Sequence, residues 1–326
     1  MVTAALVTRH GHPPELGALA LPSPGNGQSL LRVTAAPIIP LDLLCASGTS
    51  YFGPPALPYV PGVAGVGLVE HGPHTGERAW FNTDAGMRPG DGSLAEAAVV
   101  DDGETVPVPD GLPDVDAAAL GLSAVAAYMA LTWRAGLQPG ERVLVLGAGG
   151  VVGQVAVQVA AAQGAGAVAA ASRRPAARDR ARRRGASAEV DLADAGVDAL
   201  EERMRAALGG TADVVVDPVG GDTATAALRV LAEHGRLVHL GSSAGPESTF
   251  ASATLRSGSH SILGYTNNSL SHEQRAAALS QVFALAATGR CRVEHRTYPL
   301  TEVVAAWQEA GGSPEARVVV TPSADR

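Results

Sequence analysis

The sequence predicts an α/β protein of two parts: an irregular β-domain, and a doubly wound parallel-sheet domain inserted into it. Three observations carry this. Residues 1 to about 118 hold short β-like runs separated by Pro- and Gly-rich turns. From there, apolar strands alternate with helical segments, the pattern of a parallel sheet. The tail from 288 to 326 returns to mixed character. The expected division is therefore 1–118 with 288–326 for the first domain, and 119–287 for the second.

In the first domain the β-like runs are Ser29–Val33, Ala64–Glu70, Glu77–Phe81 and Ala95–Val100. Turn sequences divide them, among them Pro24-Gly-Asn-Gly27 and Arg88-Pro-Gly-Asp91. Asp116–Leu120 and Ala124–Thr132 read as helical. Strand 142–146 then precedes a helix over 151–163, and strand 166–171 precedes an arginine-rich helix over 175–184. Asp213–Asp217 precedes a helix near 222–233, and Arg236–Leu240 is a further strand. Helices near 271–289 and 301–310 and a strand over 317–321 complete the chain.

Composition excludes several functions. The 326 residues suffice for two domains. A formal charge of −8 argues against a nucleic-acid surface. No lysine is present, which rules out Schiff-base lysine chemistry and a P-loop lysine. No apolar run reads as a membrane span; Val151–Ala171 comes nearest, and glycines and glutamines interrupt it. The start of the chain lacks a basic segment followed by an apolar core, so a cytoplasmic location is expected. Cys45 and Cys291 are expected to be reduced and buried.

The most informative stretch is Arg142–Leu146 followed by Gly147-Ala-Gly-Gly-Val-Val-Gly153. Strand, tight turn and helix follow one another. Glycines at 147, 150 and 153 let the backbone approach a pyrophosphate, and N–H groups of Val151, Val152 and Gly153 at the helix start would face it. Gly147-x-Gly149 as the start of the usual dinucleotide fingerprint would place Val152 where the third glycine belongs. Gly147-x-x-Gly150-x-x-Gly153 fits better.

The chain resembles the medium-chain dehydrogenase/reductase superfamily, in its zinc-free quinone oxidoreductase and enoyl reductase branch. The resemblance rests on Asp42–Gly48 with Tyr51 behind it, Leu57-Pro-Tyr-Val-Pro-Gly62, Gly92-Ser-Leu-Ala-Glu96, Ala117–Tyr128, Gly140–Gly153, Asp217-Pro-Val-Gly-Gly221 and Gly235–Gly241, in that order. It covers essentially the full length and implies a GroES-like β-domain with a Rossmann domain. Zinc-dependent relatives hold their metal through a cysteine, a histidine and a later cysteine. Here Cys45 is followed by Pro61-Gly-Val-Ala-Gly65, without His or Glu, so no metal is expected.

Charge selects the cofactor. An NAD site places an acid at the end of the second strand. Here that strand ends Ala171-Ser-Arg-Arg174. Ser172, Arg173 and Arg174 suit the 2′-phosphate of NADPH, and Arg182–Arg184 are expected to face solvent. The resemblance further implies that Ser123, Gly241, Ser242, Tyr265 and Asn267 lie along the cofactor. It also makes Tyr51 a candidate proton donor and Asp42 a carboxylate near the nicotinamide. Relatives often carry Asn three residues before that carboxylate; this chain has Ile39, which implies a less polar substrate pocket.

The expected activity is NADPH-dependent hydride transfer to a quinone or to the C=C bond of an α,β-unsaturated carbonyl. The rival expectation is a non-catalytic NADPH-binding protein of the same fold, structural or RNA-binding. Relatives also imply a homodimer formed through the strand edge at Ser259–Tyr265, with Ile262 and Leu263 as apolar contacts.

Overall fold

The structure is a computed structural model that describes residues 1–312 and 315–322. The chain forms two compact units: Met1–Gly121 with His272–Thr288 and Val293–Arg326, and Leu122–Ser271 with Gly289–Arg292.

The first unit begins with an antiparallel pair, β1 (Val2–Leu6) and β2 (Glu15–Leu19). The long strand β3 (Gln28–Ile38) follows. Leu31 and Val33 lie two apart on its buried face, as the period of a strand requires. Helix α1 (Pro40–Ser47) opens with a proline in its first turn and closes at Gly48, whose φ of 76° only glycine adopts without strain. Strands β4 (Ala64–His71), β5 (Arg78–Asn82), β6 (Ala97–Asp101) and β7 (Thr105–Pro107) continue the sheet.

Helix α2 (Asp114–Met129) joins the two helical segments the sequence shows around Gly121. The helix breaks there, at φ 38°, ψ −139°. The stretch Asp114–Arg134 is long and apolar enough to cross a membrane by length and composition, unlike the sequence expectation. In this fold 72% of that apolar window is buried inside the protein.

In the second unit, strands β8 (Arg142–Val145), β9 (Ala167–Ser172), β10 (Ala188–Asp191), β11 (Ala212–Asp217), β12 (Leu231–His239) and β13 (Ser261–Gly264) form one parallel sheet in the order β10-β9-β8-β11-β12-β13. Helices α3 (Val151–Ala162), α4 (Pro175–Arg183), α5 (Val197–Leu208), α6 (Gly221–Arg229) and α7 (Ser252–Ser257) connect them. Strand order reverses between β8 and β11, which makes the carboxyl edge there the switch point where such sheets bind ligands. One core packs Leu144, Leu146, Val215 and Leu237 of the sheet against Leu200, Met204 and Leu228.

Three sequence boundaries need correction. Strand β10 and helix α5 are absent from the sequence reading, although Leu200, Met204 and Leu208 stand at helical spacing and are buried. Helix α6 stops at Arg229 rather than 233, because the chain re-enters the sheet at Leu231 and bulges through His234, whose φ is 59°. Helix α8 (His272–Ala287) belongs to the first unit, not the second: His272 and Arg275 both pair with Glu104.

The first unit closes with β14 (His295–Pro299), α9 (Val303–Gly311) and β15 (Arg317–Thr321). Its sheet runs β14-β15-β3-β4-β5-β7, with β6 paired to β3. Val318 and Val320 of β15 join Leu31, Phe81 and Trp307 in its core.

Candidate functional site

The second unit builds its site on the turn between β8 and α3. A side chain at Gly153 would put its Cβ 2.3 Å from the Gly147 carbonyl oxygen and 2.6 Å from Ala148 Cα. Both obstacles are backbone, so only glycine lets the helix start this close to the strand. Gly147 has φ 64°, and a Cβ there would lie 2.9 Å from Val219. Gly150 differs: its Cβ would meet nothing nearer than 3.7 Å. Of the three glycines, two are required by the turn itself. Gly150 is the N-cap, so the N–H groups of Val151, Val152 and Gly153 occupy the first turn of α3, where no intrahelical partner exists. Gln154, buried in that helix, donates to the Gly149 carbonyl at 2.9 Å and holds the turn.

Ser172 ends β9 and is buried; its hydroxyl accepts the Arg174 backbone N–H at 3.3 Å and keeps its own hydrogen to donate. Arg173 and Arg174 are exposed beside it. The acid nearest in sequence on the neighbouring strand, Asp191, is held by Arg178, which also donates to the Ser172 carbonyl at 2.8 Å. This edge therefore offers a hydroxyl and two guanidinium groups, and it fits a phosphate better than a ribose diol.

On the other side of the switch point, Asp217 ends β11 fully buried. It accepts the N–H groups of Val219 and Gly220 at 2.9 and 2.8 Å, and Nδ1 of His239 donates to it at 2.7 Å. His239 stands directly across the sheet register from Asp217 and is part-exposed. The Asp217 turn is thus capped from within, and His239 is oriented by it. Gly241 follows β12 and passes the Pro218 carbonyl so closely that a Cβ would come within 2.9 Å; Ser242 beyond it is exposed.

Beyond β13, Tyr265 donates its hydroxyl to Asn267 at 2.6 Å, and Asn267 donates to the Leu122 carbonyl at 3.0 Å. This chain of bonds ties the segment after β13 to the residue beside Ser123, which is half-buried. The structure therefore ties Tyr265 and Asn267 to Leu122, the residue before Ser123.

In the first unit Asp42 is enclosed. Its two carboxylate oxygens accept the backbone N–H groups of Ile39 at 2.7 Å and Val63 at 2.9 Å. Arg317, also buried, donates to the Ile38 carbonyl at 3.1 Å. Burial pushes the Asp42 carboxyl up to about 6, against the pull of these N–H groups and Arg317. Burial likewise lowers the Arg317 guanidinium to about 10. Asp42 braces α1 against the Gly62–Val63 segment, and this corrects its place among the groups open to substrate: both oxygens are spent on backbone. Tyr51 lies at the opposite extreme, 75% exposed, with its ring against Phe52 at 4.2 Å between centroids. Cys45 is buried, and burial raises its thiol pKa despite a hydrogen bond from Ser50. Among the described residues no three His, Cys, Asp or Glu side chains are grouped to hold a metal ion.

Sequence reasoning passes over His239 and Gln154. The signal for His239 lies in register: the last residue of one parallel strand meets the last of its neighbour, and an acid faces a histidine there. The glutamines of α3 stand in an otherwise apolar helix, a sign that they have buried partners.

The zinc-binding dehydrogenase family matches residues 151–284. Human quinone oxidoreductase is 35% identical over 155 residues, which cover 45% of this chain. That match spans 44% of the human protein, so the chain aligns with under half the length of such curated relatives. The quinone oxidoreductase of Thermus thermophilus, solved also in complex with NADPH, superposes with a TM-score of 0.79 at 32% identity, covering 98% of this chain and 99% of that one. A mycobacterial quinone oxidoreductase gives 0.88 at 25% identity over 99% and 100%.

Proposed function

This chain belongs to the quinone oxidoreductase branch of the medium-chain dehydrogenase/reductase superfamily, with a GroES-like first unit and a Rossmann second unit, and from that premise we propose that it is an NADPH-dependent, zinc-independent oxidoreductase. The acceptor in this reading is a quinone or the C=C bond of an α,β-unsaturated carbonyl. The observation that carries it is the end of β9: Ser172, Arg173 and Arg174 stand where an NAD site would need a free acid.

Bound NADPH would supply a hydride, and the protein's part is to hold, orient and neutralise. The N–H groups of Val151, Val152 and Gly153 receive the pyrophosphate, and Gly147 and Gly153 keep the turn narrow enough for it. Ser172 donates to the 2′-phosphate, with Arg173 and Arg174 as its counter-charges. The Tyr265–Asn267–Leu122 chain fixes the segment that carries Ser123. His239, oriented by Asp217, lies beside Gly220, where an added Cβ would come 3.6 Å from its ring. Reduction of either acceptor develops negative charge on oxygen, which needs a donor or water. Tyr51 is the exposed hydroxyl we assign to that role. Both cysteines are buried and unpaired, which suits the reducing cytoplasm we propose as its location.

The test is steady-state turnover with a panel of quinones and enones, using NADPH and NADH. We expect NADPH to bind at least ten-fold more tightly, about 1.4 kcal/mol, and Arg173→Ala to shrink that ratio. Equal affinities, or a ratio unchanged in Arg173→Ala, would overturn the cofactor assignment.

A further inference from the structure

At the end of α3 away from the glycine turn, a cavity of about 420 Å³ is lined by Gln158, Arg183, Arg184, Arg290 and Arg292. The first two arginines come from the end of α4, the last two from the turn at 289–292, more than a hundred positions later. The whole cavity lies within the second unit.

The turn is fixed by a buried side chain. Gln158 donates to the Arg292 carbonyl at 2.7 Å and accepts the Arg292 N–H at 2.9 Å, so both ends of its amide are spent on one residue. Arg184, expected from sequence to face solvent, donates to the same carbonyl at 2.8 Å. The Arg292 side chain folds back over Gly289, whose φ is 73° and where a Cβ would lie 2.9 Å from the guanidinium.

The charge balance here is unlike the rest of the protein. The chain has 32 acidic residues against 24 basic ones. Several arginines elsewhere pair with carboxylates, as in Arg78–Asp114, Arg178–Asp191 and Arg236–Glu141. Arg183, Arg290 and Arg292 pair with none among the described residues, and no acid lines the cavity. The partial negative charge at helix carboxyl ends accounts for arginines at the end of α4. Arg290 and Arg292 follow the end of α8 and lie beside Ala161 and Ala162 at the end of α3, and four guanidinium groups exceed what the half-charges of these helix ends neutralise. Gathering guanidinium groups around one cavity costs like-charge repulsion that a multiply charged anion would offset.

We propose that this cavity binds an oligophosphate, a di- or triphosphate group, at a site separate from the dinucleotide turn. The guanidinium forks suit phosphate oxygens, and the volume suits a small phosphorylated molecule. The 12-residue length of α3 sets the two sites about 18 Å apart.

Calorimetric titration with orthophosphate, inorganic pyrophosphate and tripolyphosphate, at constant ionic strength and with and without saturating NADPH, tests this. The expected result is one site per chain, unaffected by NADPH, binding tripolyphosphate more tightly than orthophosphate. The double variant Arg183→Ala/Arg290→Ala should bind at least ten-fold more weakly and keep its melting temperature, since both side chains are exposed. Absence of saturable binding, wild-type affinity in the double variant, or displacement by NADPH would each overturn the proposal.

Discussion

Replacing Gly153 with alanine tests the glycine turn directly, and Gly150→Ala is its internal control. The Cβ added at Gly153 would sit 2.3 Å from a backbone carbonyl oxygen. Ordinary contact requires the strand–helix junction to open by about 1 Å, and overpacking of this kind costs roughly 1–3 kcal/mol of stability. The same opening carries the N–H groups of α3 away from the pyrophosphate. A hydrogen bond to a charged group is worth about 1.5–3 kcal/mol, so losing one weakens NADPH by about ten- to a hundred-fold. Gly150 has φ −74°, ψ 164°, which alanine adopts freely, and its Cβ would meet nothing nearer than 3.7 Å. Alanine is a poorer N-cap than glycine, so a cost of up to about 1 kcal/mol is expected with affinity within about three-fold of wild type. Fluorescence titration with NADPH and urea unfolding of both variants read these quantities. If Gly153→Ala bound NADPH like wild type, or if Gly150→Ala were equally damaged, the turn would not be the pyrophosphate site.

Tyr51→Phe should lower kcat by roughly ten- to a thousand-fold with NADPH affinity unchanged; a wild-type kcat would pass the proton to water. Asp42 carries a pH signature. Its folded value of about 6 lies above the unfolded 3.8, so the folded state holds the proton longer and stability falls as pH rises from about 4 to 6. The size is about 3 kcal/mol at 1.36 kcal/mol per unit. The stability advantage of wild type over Asp42→Asn should shrink by about that much across the window; a constant difference in urea unfolding would refute it. Strand β13 forms one edge of the parallel sheet with Ile262 exposed, and a homodimer mass is expected in light scattering, lost in Ile262→Asp. A monomer of the wild type at micromolar concentration would end that assignment.

What is legible in the sequence is local. The β8–α3 turn announces itself because three glycines and an apolar helix stand within a dozen residues, and the steric reason for Gly153 lies in Gly147 and Ala148 beside it. Ser172 and the two arginines after it are equally local, a strand end read against what an NAD site needs. The readings that need correction depend on partners far along the chain. Asp42 stands where relatives keep a carboxylate, but its environment is set by Val63, and a position that matches a catalytic pattern serves as a brace. Helix α8 has the periodicity of any amphipathic helix, and only its pairing with Glu104 assigns it to the first unit.

The same distinction explains His239. Nothing within ten residues of it marks it out, and in sequence it is one of four polar residues in β12, with Glu233, His234 and Arg236. Parallel pairing of β11 and β12 places it opposite Asp217, and the fully buried carboxylate then needs every donor it has: two backbone N–H groups and one imidazole. Removing the ring would leave a buried acceptor short of a partner at the carboxyl edge of the sheet, a penalty of about 1–3 kcal/mol. The histidine is therefore held in place by folding energy, whatever it contacts on its exposed side. A side chain oriented at no cost to the bound state is what a ligand-binding edge requires, and register alone, not composition or spacing, supplies it here.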